Sequence, residues 1–161
     1  MKISIRRFTK IFFGLFAVVL LGIQLVPYGR DHSNPAVTGE PPWNSPETRA
    51  LFTRACADCH SNETVWPWYS HIAPASWLVQ DDVERGRAKM NLSQWGSGEQ
   101  EADEAASEVR SGEMPLKKYT LMHPSASLTD AEKEKLAQGL EATFGPAKPE
   151  TAAGHGDEDR E

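Results

Sequence analysis

Cysteine is nearly missing from this chain: 161 residues contain two, Cys56 and Cys59. Two thiols three positions apart cannot cross-link a domain, so a structural disulfide framework is excluded. Acidic side chains are absent from the first 30 residues, although the whole chain carries a net charge of −6. No segment alternates apolar and polar residues for long enough to read as a strand, which leaves an all-α fold. No small-x-small cleavage site and no lipobox cysteine follow the apolar run near the N-terminus. That run therefore reads as an uncleaved anchor rather than a removed leader. No constellation of acids and bases flanks the two cysteines, so nothing in the sequence points to acid–base hydrolysis.

The first 28 residues, "MKISIRRFTKIFFGLFAVVLLGIQLVPY", have the layout of a signal anchor or transmembrane helix. Lys2, Arg6, Arg7 and Lys10 precede the apolar run Ile11–Val26, which Pro27 closes and after which Tyr28 is placed to sit at an interface. Sixteen residues make about 24 Å of helix, a little short of a hydrocarbon core of about 30 Å. The basic end is expected to stay in the cytoplasm. The chain after Tyr28 is then periplasmic, on a protein of the bacterial inner membrane. Residues 31–161 hold 12 basic and 23 acidic side chains, a balance of −11. Nucleic acid is excluded as a partner, and a basic redox protein would be steered toward such a surface. Residues 29–44, rich in proline and glycine, read as a linker, and 146–161 as a disordered acidic tail in which His155 is solvated. One domain remains, residues 45–145. A domain of that size needs a staple.

Its helices announce themselves by their caps. Ser45 is a candidate N-cap with Pro46 at the first helical position and Glu47 in the first turn, predicting a helix over 46–59. Phe52, Ala55, Cys56 and Cys59 then share one face. "APASWLVQDDVERGR" is a weaker helix. "SGEQEADEAASEVRSG" has Ser97 and Gln100 in capping-box register and Gly112 as its stop; its body is polar enough for a surface helix. "LTDAEKEKLAQGLEATFG" carries a capping box at Thr129 and Glu132, with Leu136, Leu140 and Phe144 every four residues.

The stretch "CADCH" admits three chemistries. A redox dithiol would want a βαβ setting, and it gives His60 no role. Zinc would need a fourth ligand from a distant histidine, whereas structural zinc sites usually take two spaced ligand pairs. Covalent haem uses every residue. Cys56 and Cys59 add to the two vinyl groups of one porphyrin, and His60 binds iron from the proximal side. One covalent haem c is also the missing staple. Trp66, Trp68, Tyr69 and Trp77 are placed to wall it, although each could equally fill a helical core. The second nitrogen of His60 should find an acceptor, and the carbonyls of Pro67 and Pro74 are the candidates. For the distal position Met114, in "RSGEMPLKKY" between a helix stop and a proline, is the leading candidate. Met122 and His123 compete with it. Met90 reads as core filler, and His71 follows His60 too closely to reach the opposite face.

These residues together resemble a known family. "CADCHSNETVWPWYSHIAPASWLVQDDVERGR", then "NLSQW", "SGEMPLKKYTLMHP" and "LTDAEKEKL", are similar to the haem-binding domain family of bacterial exported proteins, and more distantly to class I cytochromes c. Met90 and Leu92 depart slightly from that pattern. The resemblance implies a cytochrome c-like helical domain around a covalent haem. It assigns Cys56, Cys59 and His60 to holding the haem and, by comparison with class I cytochromes, Met114 to the distal side of the iron. The expected function is a membrane-anchored monohaem electron carrier, more a carrier than an enzyme. The alternative is a haem-based sensor or peroxidase-like domain with an open distal site, where Glu113 could handle protons.

Overall fold

The computed structural model describes residues 5–97 and 100–147, and these contain seven α-helices and no strand. The all-α expectation holds. The helices are α1 (Ile5–Ile23), α2 (Pro46–Ala55), α3 (Ala57–His60), α4 (Ala75–Lys89), α5 (Ala105–Ser111), α6 (Lys117–Met122) and α7 (Asp130–Phe144). Short 3₁₀ turns occupy Trp68–His71 and Pro124–Ala126. The acidic tail lies almost entirely outside the described residues, His155 included. The chain divides into two units, one built from residues 1–41 and 53–100, the other from 42–52 and 101–161.

In the first unit, α1 carries Arg6, Arg7 and Lys10 within its first six residues. Its uncharged part, Ile11–Ile23, amounts to about 20 Å of helix, and no described helix is long and apolar enough to cross a membrane. Gln24, Leu25 and Val26 continue as a tighter turn, each N–H donating three residues back. Residues 29–44 contain no helix, yet they are held. Asn34 Nδ2 donates to the Thr64 carbonyl at 2.9 Å, Asn62 Nδ2 to that of Ala36 at 2.9 Å, and Thr38 N to that of Ser93 at 2.8 Å. α3 packs on α4, and α4 also packs on the 3₁₀ turn at Trp68. The interior is thin in large apolar groups: beside Ala55, Ala57 and Ala73, its buried hydrophobic residues are Val83, Met90 and Leu92. Much of the rest is polar, with Ser61, Asn62, Thr64, Asn91 and Ser93 all buried.

The second unit has a conventional apolar core. Leu136, Ala137 and Leu140 of α7 are fully enclosed, and α5 packs on α7 through Ala106 and Val109. Trp43 lies against Phe52 and Phe144 with ring centroids 5.2 and 6.0 Å apart. The caps behave as read: Thr48 N donates to Ser45 Oγ at 3.1 Å, Thr129 and Glu132 form the full capping box, and Gly112 stops α5 at φ +80°.

Three helix expectations need correction. The helix predicted over 46–59 is broken at Cys56 (φ −129°), because the backbone leaves helical geometry there and restarts as α3. The capping box at Ser97 does not form. Ser97 Oγ donates to the Gln94 carbonyl, while the Gln100 amide pairs with both backbone groups of Asn91, so α5 begins only at Ala105. Nor is α5 a mere surface helix, since its two buried apolar residues seat it on α7.

Candidate functional site

Cys56, Cys59 and His60 lie in the first unit, on the break and the single turn of α3 that follows it. His60 N donates to the Cys56 carbonyl at 3.0 Å, so the histidine closes the turn that Cys56 opens. α4 comes up directly behind them. A Cβ on Gly86 would lie 2.5 Å from the Cys59 carbonyl oxygen and 2.9 Å from the Cys59 Cβ, so a residue without a side chain is required for this approach. The end of α4 then reaches the imidazole. His60 Nδ1 sits 3.1 Å from the Met90 carbonyl oxygen. A carbonyl only accepts, so Nδ1 carries the proton, and Nε2 is left with its lone pair. The acceptor is thus Met90, in place of the expected Pro67 or Pro74, because the chain folds back onto His60 through the end of α4. Burial holds His60 below the usual histidine range, opposed in part by the Met90 and Gly86 carbonyls, so the ring stays neutral.

Neither cysteine is in a disulfide. Burial, with Cys59 adding its charge, pushes the Cys56 thiol up to about 12. A dithiol oxidoreductase needs the opposite, a thiol made acidic enough to attack as thiolate. Among the described residues, no three His, Cys, Asp or Glu side chains are gathered so as to hold a metal ion directly.

Residues that the sequence reading did not single out hold the motif in place. Leu92 N donates to the His60 carbonyl at 2.9 Å, and Asn62 N to Ser93 Oγ at 3.0 Å. Asn91 Nδ2 donates to Asn62 Oδ1 at 2.8 Å, and Asn91 Oδ1 accepts from Ser93 N at 3.1 Å. Arg87 Nε donates to the Ser61 carbonyl at 2.9 Å, and its Nη2 reaches both Asn34 Oδ1 and Thr64 Oγ1. Three of them are consecutive in the sequence, the tripeptide Asn91-Leu92-Ser93.

The aromatic residues following the motif take different places. Trp66 stacks on His32 at 4.6 Å, and the His71 ring meets His32 edge-on at 4.4 Å. Trp68 is 74% exposed, with Tyr69 edge-on to it at 5.8 Å. Burial first, then the charges of Asp58 and Cys59, raises the Tyr69 phenol above its ordinary value. The indole Nε1 atoms of Trp66 and Trp77 are buried without a hydrogen-bond partner. Met114, Met122 and His123 belong to the second unit. Met114 N donates to the Glu108 carbonyl at 3.0 Å, just past the Gly112 stop, and Met114 is half-buried. Met122 is exposed. His123 stacks on Tyr119, its Nδ1 lying 3.2 Å from the Tyr119 carbonyl oxygen.

A family model described as a haem-binding domain matches residues 18–142. No curated protein and no solved structure matches the chain.

The donor set suits haem. Two cysteines outside any disulfide stand three residues apart beside a histidine whose proton lies on Nδ1, so its Nε2 would be the nitrogen available to a haem iron. The first unit has little large apolar side chain of its own, and a porphyrin would supply it. Two enclosed indole N–H groups want acceptors, which a haem carboxylate can provide. With these features, and with a match that covers most of its length, the chain belongs to the haem-binding domain family and takes haem as its cofactor.

Proposed function

We propose that this protein is a membrane-anchored, exported c-type cytochrome with one haem, carrying single electrons between redox protein partners. The observation that carries the reading is the His60 Nδ1–Met90 carbonyl contact beside two cysteines at i and i+3 that form no disulfide. Cys56 and Cys59 hold the porphyrin through thioethers, each S–H adding across one vinyl C=C with no change of redox state. His60 presents Nε2 to the iron, its ring fixed by Met90. We assign Met114 to the distal side of the iron, where it would leave no open position for a substrate. The bound haem supplies the one-electron couple, whose potential methionine ligation raises. Trp66, Tyr69 and Trp77 remain the candidates to wall the ring, while Trp68 faces outward.

The anchor is the segment Ile11–Val26, with the basic residues Arg6, Arg7 and Lys10 on the cytoplasmic side of a bacterial inner membrane and the haem domain in the periplasm. In support, the large apolar side chains of α1 are exposed from Ile5 to Leu21. A surface of that extent is costly in water.

A second distal ligand has an observation behind it. His123 gives its Nδ1 to a carbonyl as His60 does, so its Nε2 is the atom it would offer.

The test is an absorption spectrum of the matured protein, ferric and ferrous, the latter with and without CO. A Met-to-ferric charge-transfer band and no response to CO are expected. High-spin ferric iron or ready CO binding would overturn the electron-carrier reading in favour of a gas sensor or peroxidase-like site.

A further inference from the structure

The end of α1 is not followed by a free tether. The Gln24 side chain pairs with both backbone groups of Ala73, Nε2 donating to its carbonyl at 2.9 Å and Oε1 accepting its N–H at 3.0 Å. Four residues on, the Tyr28 hydroxyl donates to Glu84 of α4 at 3.1 Å instead of standing free as an interfacial anchor. Then His32 Nε2 lies 3.0 Å from the Ser70 carbonyl oxygen, and Asn34 donates to that of Thr64. The apolar helix is thus clamped to the body of the first unit from its last turn onward.

Ala73, the residue held by Gln24, is flanked by apolar side chains that face outward. Trp68 is 74%, Ile72 49% and Leu78 59% exposed, and Leu25 beside the clamp is 82% exposed. The Gln24–Ala73 pair holds Ile72, the residue before Ala73, and Leu25, the residue after Gln24, at the end of the apolar helix. The chain as a whole is acidic, so charge attraction to anionic lipid does not account for such a face. Tryptophan is the side chain most at home at the boundary of a bilayer.

We propose that the first unit sits directly on the lipid surface, with Trp68, Ile72 and Leu78 in the interfacial layer and the Gln24–Ala73 clamp fixing its orientation. The haem is then presented to partners at a set height and angle. This rests on the reading that α1 enters the membrane.

The test uses the full-length holoprotein in vesicles of phosphatidylcholine doped with a diazirine-bearing phosphatidylcholine, photolysed and mapped by mass spectrometry. Adducts are expected on α1 and also on the peptide spanning residues 68–78, unchanged by high salt. Gln24→Ala should lower the 68–78 adducts several-fold while those on α1 and the haem spectrum stay as in the wild type. Adducts confined to α1 would leave the anchor standing and overturn the seating. Absence of adducts everywhere, with protein that fails to float with vesicles, would overturn both.

Discussion

Residues 60 and 90 are joined by one hydrogen bond, from His60 Nδ1 to the Met90 carbonyl oxygen at 3.1 Å. It exists because α4 passes so close behind Cys59 that position 86 has no room for a side chain. Gly86→Val therefore forces α4 away from the motif and withdraws the acceptor from His60. The expected cost is about 1–3 kcal/mol of stability, as for other overpacked interiors. A fall in the fraction of purified protein that carries haem should accompany it. Chemical denaturation and haem-to-protein stoichiometry check both. A Gly86→Val protein with wild-type midpoint and full haem would contradict this geometry.

The polar cluster beneath the motif makes a separate prediction. Asn91→Ala removes the partner of Asn62 Oδ1 and of the Ser93 N–H, both on buried residues. An unsatisfied buried polar group costs about 1–3 kcal/mol. Urea unfolding should show a loss in that range with an unchanged slope. The substitution should also slow haem incorporation, since it loosens the segment that carries the His60 acceptor.

The second unit has an ion-pair group whose pH dependence can be signed. Arg110 Nη2 lies 2.9 Å from Glu141 Oε2, its Nη1 contacts Glu141 Oε1, and its Nε is 3.3 Å from Glu134 Oε2. Arg110 holds Glu141 below the usual carboxylate range, while Gln138 first and then Arg110 do the same for Glu134. Groups depressed in the folded state stabilise it above their unfolded value, about 4.3 for glutamate, and lose that contribution as pH falls through the folded values. Arg110→Gln should therefore lower the thermal midpoint at pH 7, and the difference from wild type should shrink on acidification below about pH 4. All three groups face solvent, so salt should weaken the effect too.

For the distal ligand, Met114→Ala should abolish the methionine charge-transfer band, lower the reduction potential and let the ferrous protein bind CO. His123→Ala should do none of these. The reverse pattern would move the assignment to His123, and spectra identical to wild type in both variants would remove both residues from the iron.

Features that depend on a few neighbouring residues were legible in the sequence. The capping box of Thr129 and Glu132, the Ser45–Pro46 start and the Gly112 stop are each decided within four positions, and each is present. Cys56, Cys59 and His60 could be read as a unit for the same reason. What escaped depends on segments distant in sequence. Gln100 was read as a capping residue, but its amide satisfies the backbone of Asn91 nine positions earlier. The acceptor for His60 was sought in the next fifteen residues and comes from the far end of α4. Polar composition hid the seat of α5, because two small residues, Ala106 and Val109, suffice to dock so short a helix.

The central claim is that Cys56 and Cys59 hold haem covalently. The most direct measurement is the intact mass of the matured protein under denaturing, reducing conditions. One species is expected, the chain plus a single haem, that survives acid–acetone extraction. In Cys56→Ala and Cys59→Ala each remaining thioether should still retain some haem, and the double variant should retain none. A wild-type protein that releases its haem to acid–acetone and returns to the bare chain mass would contradict it.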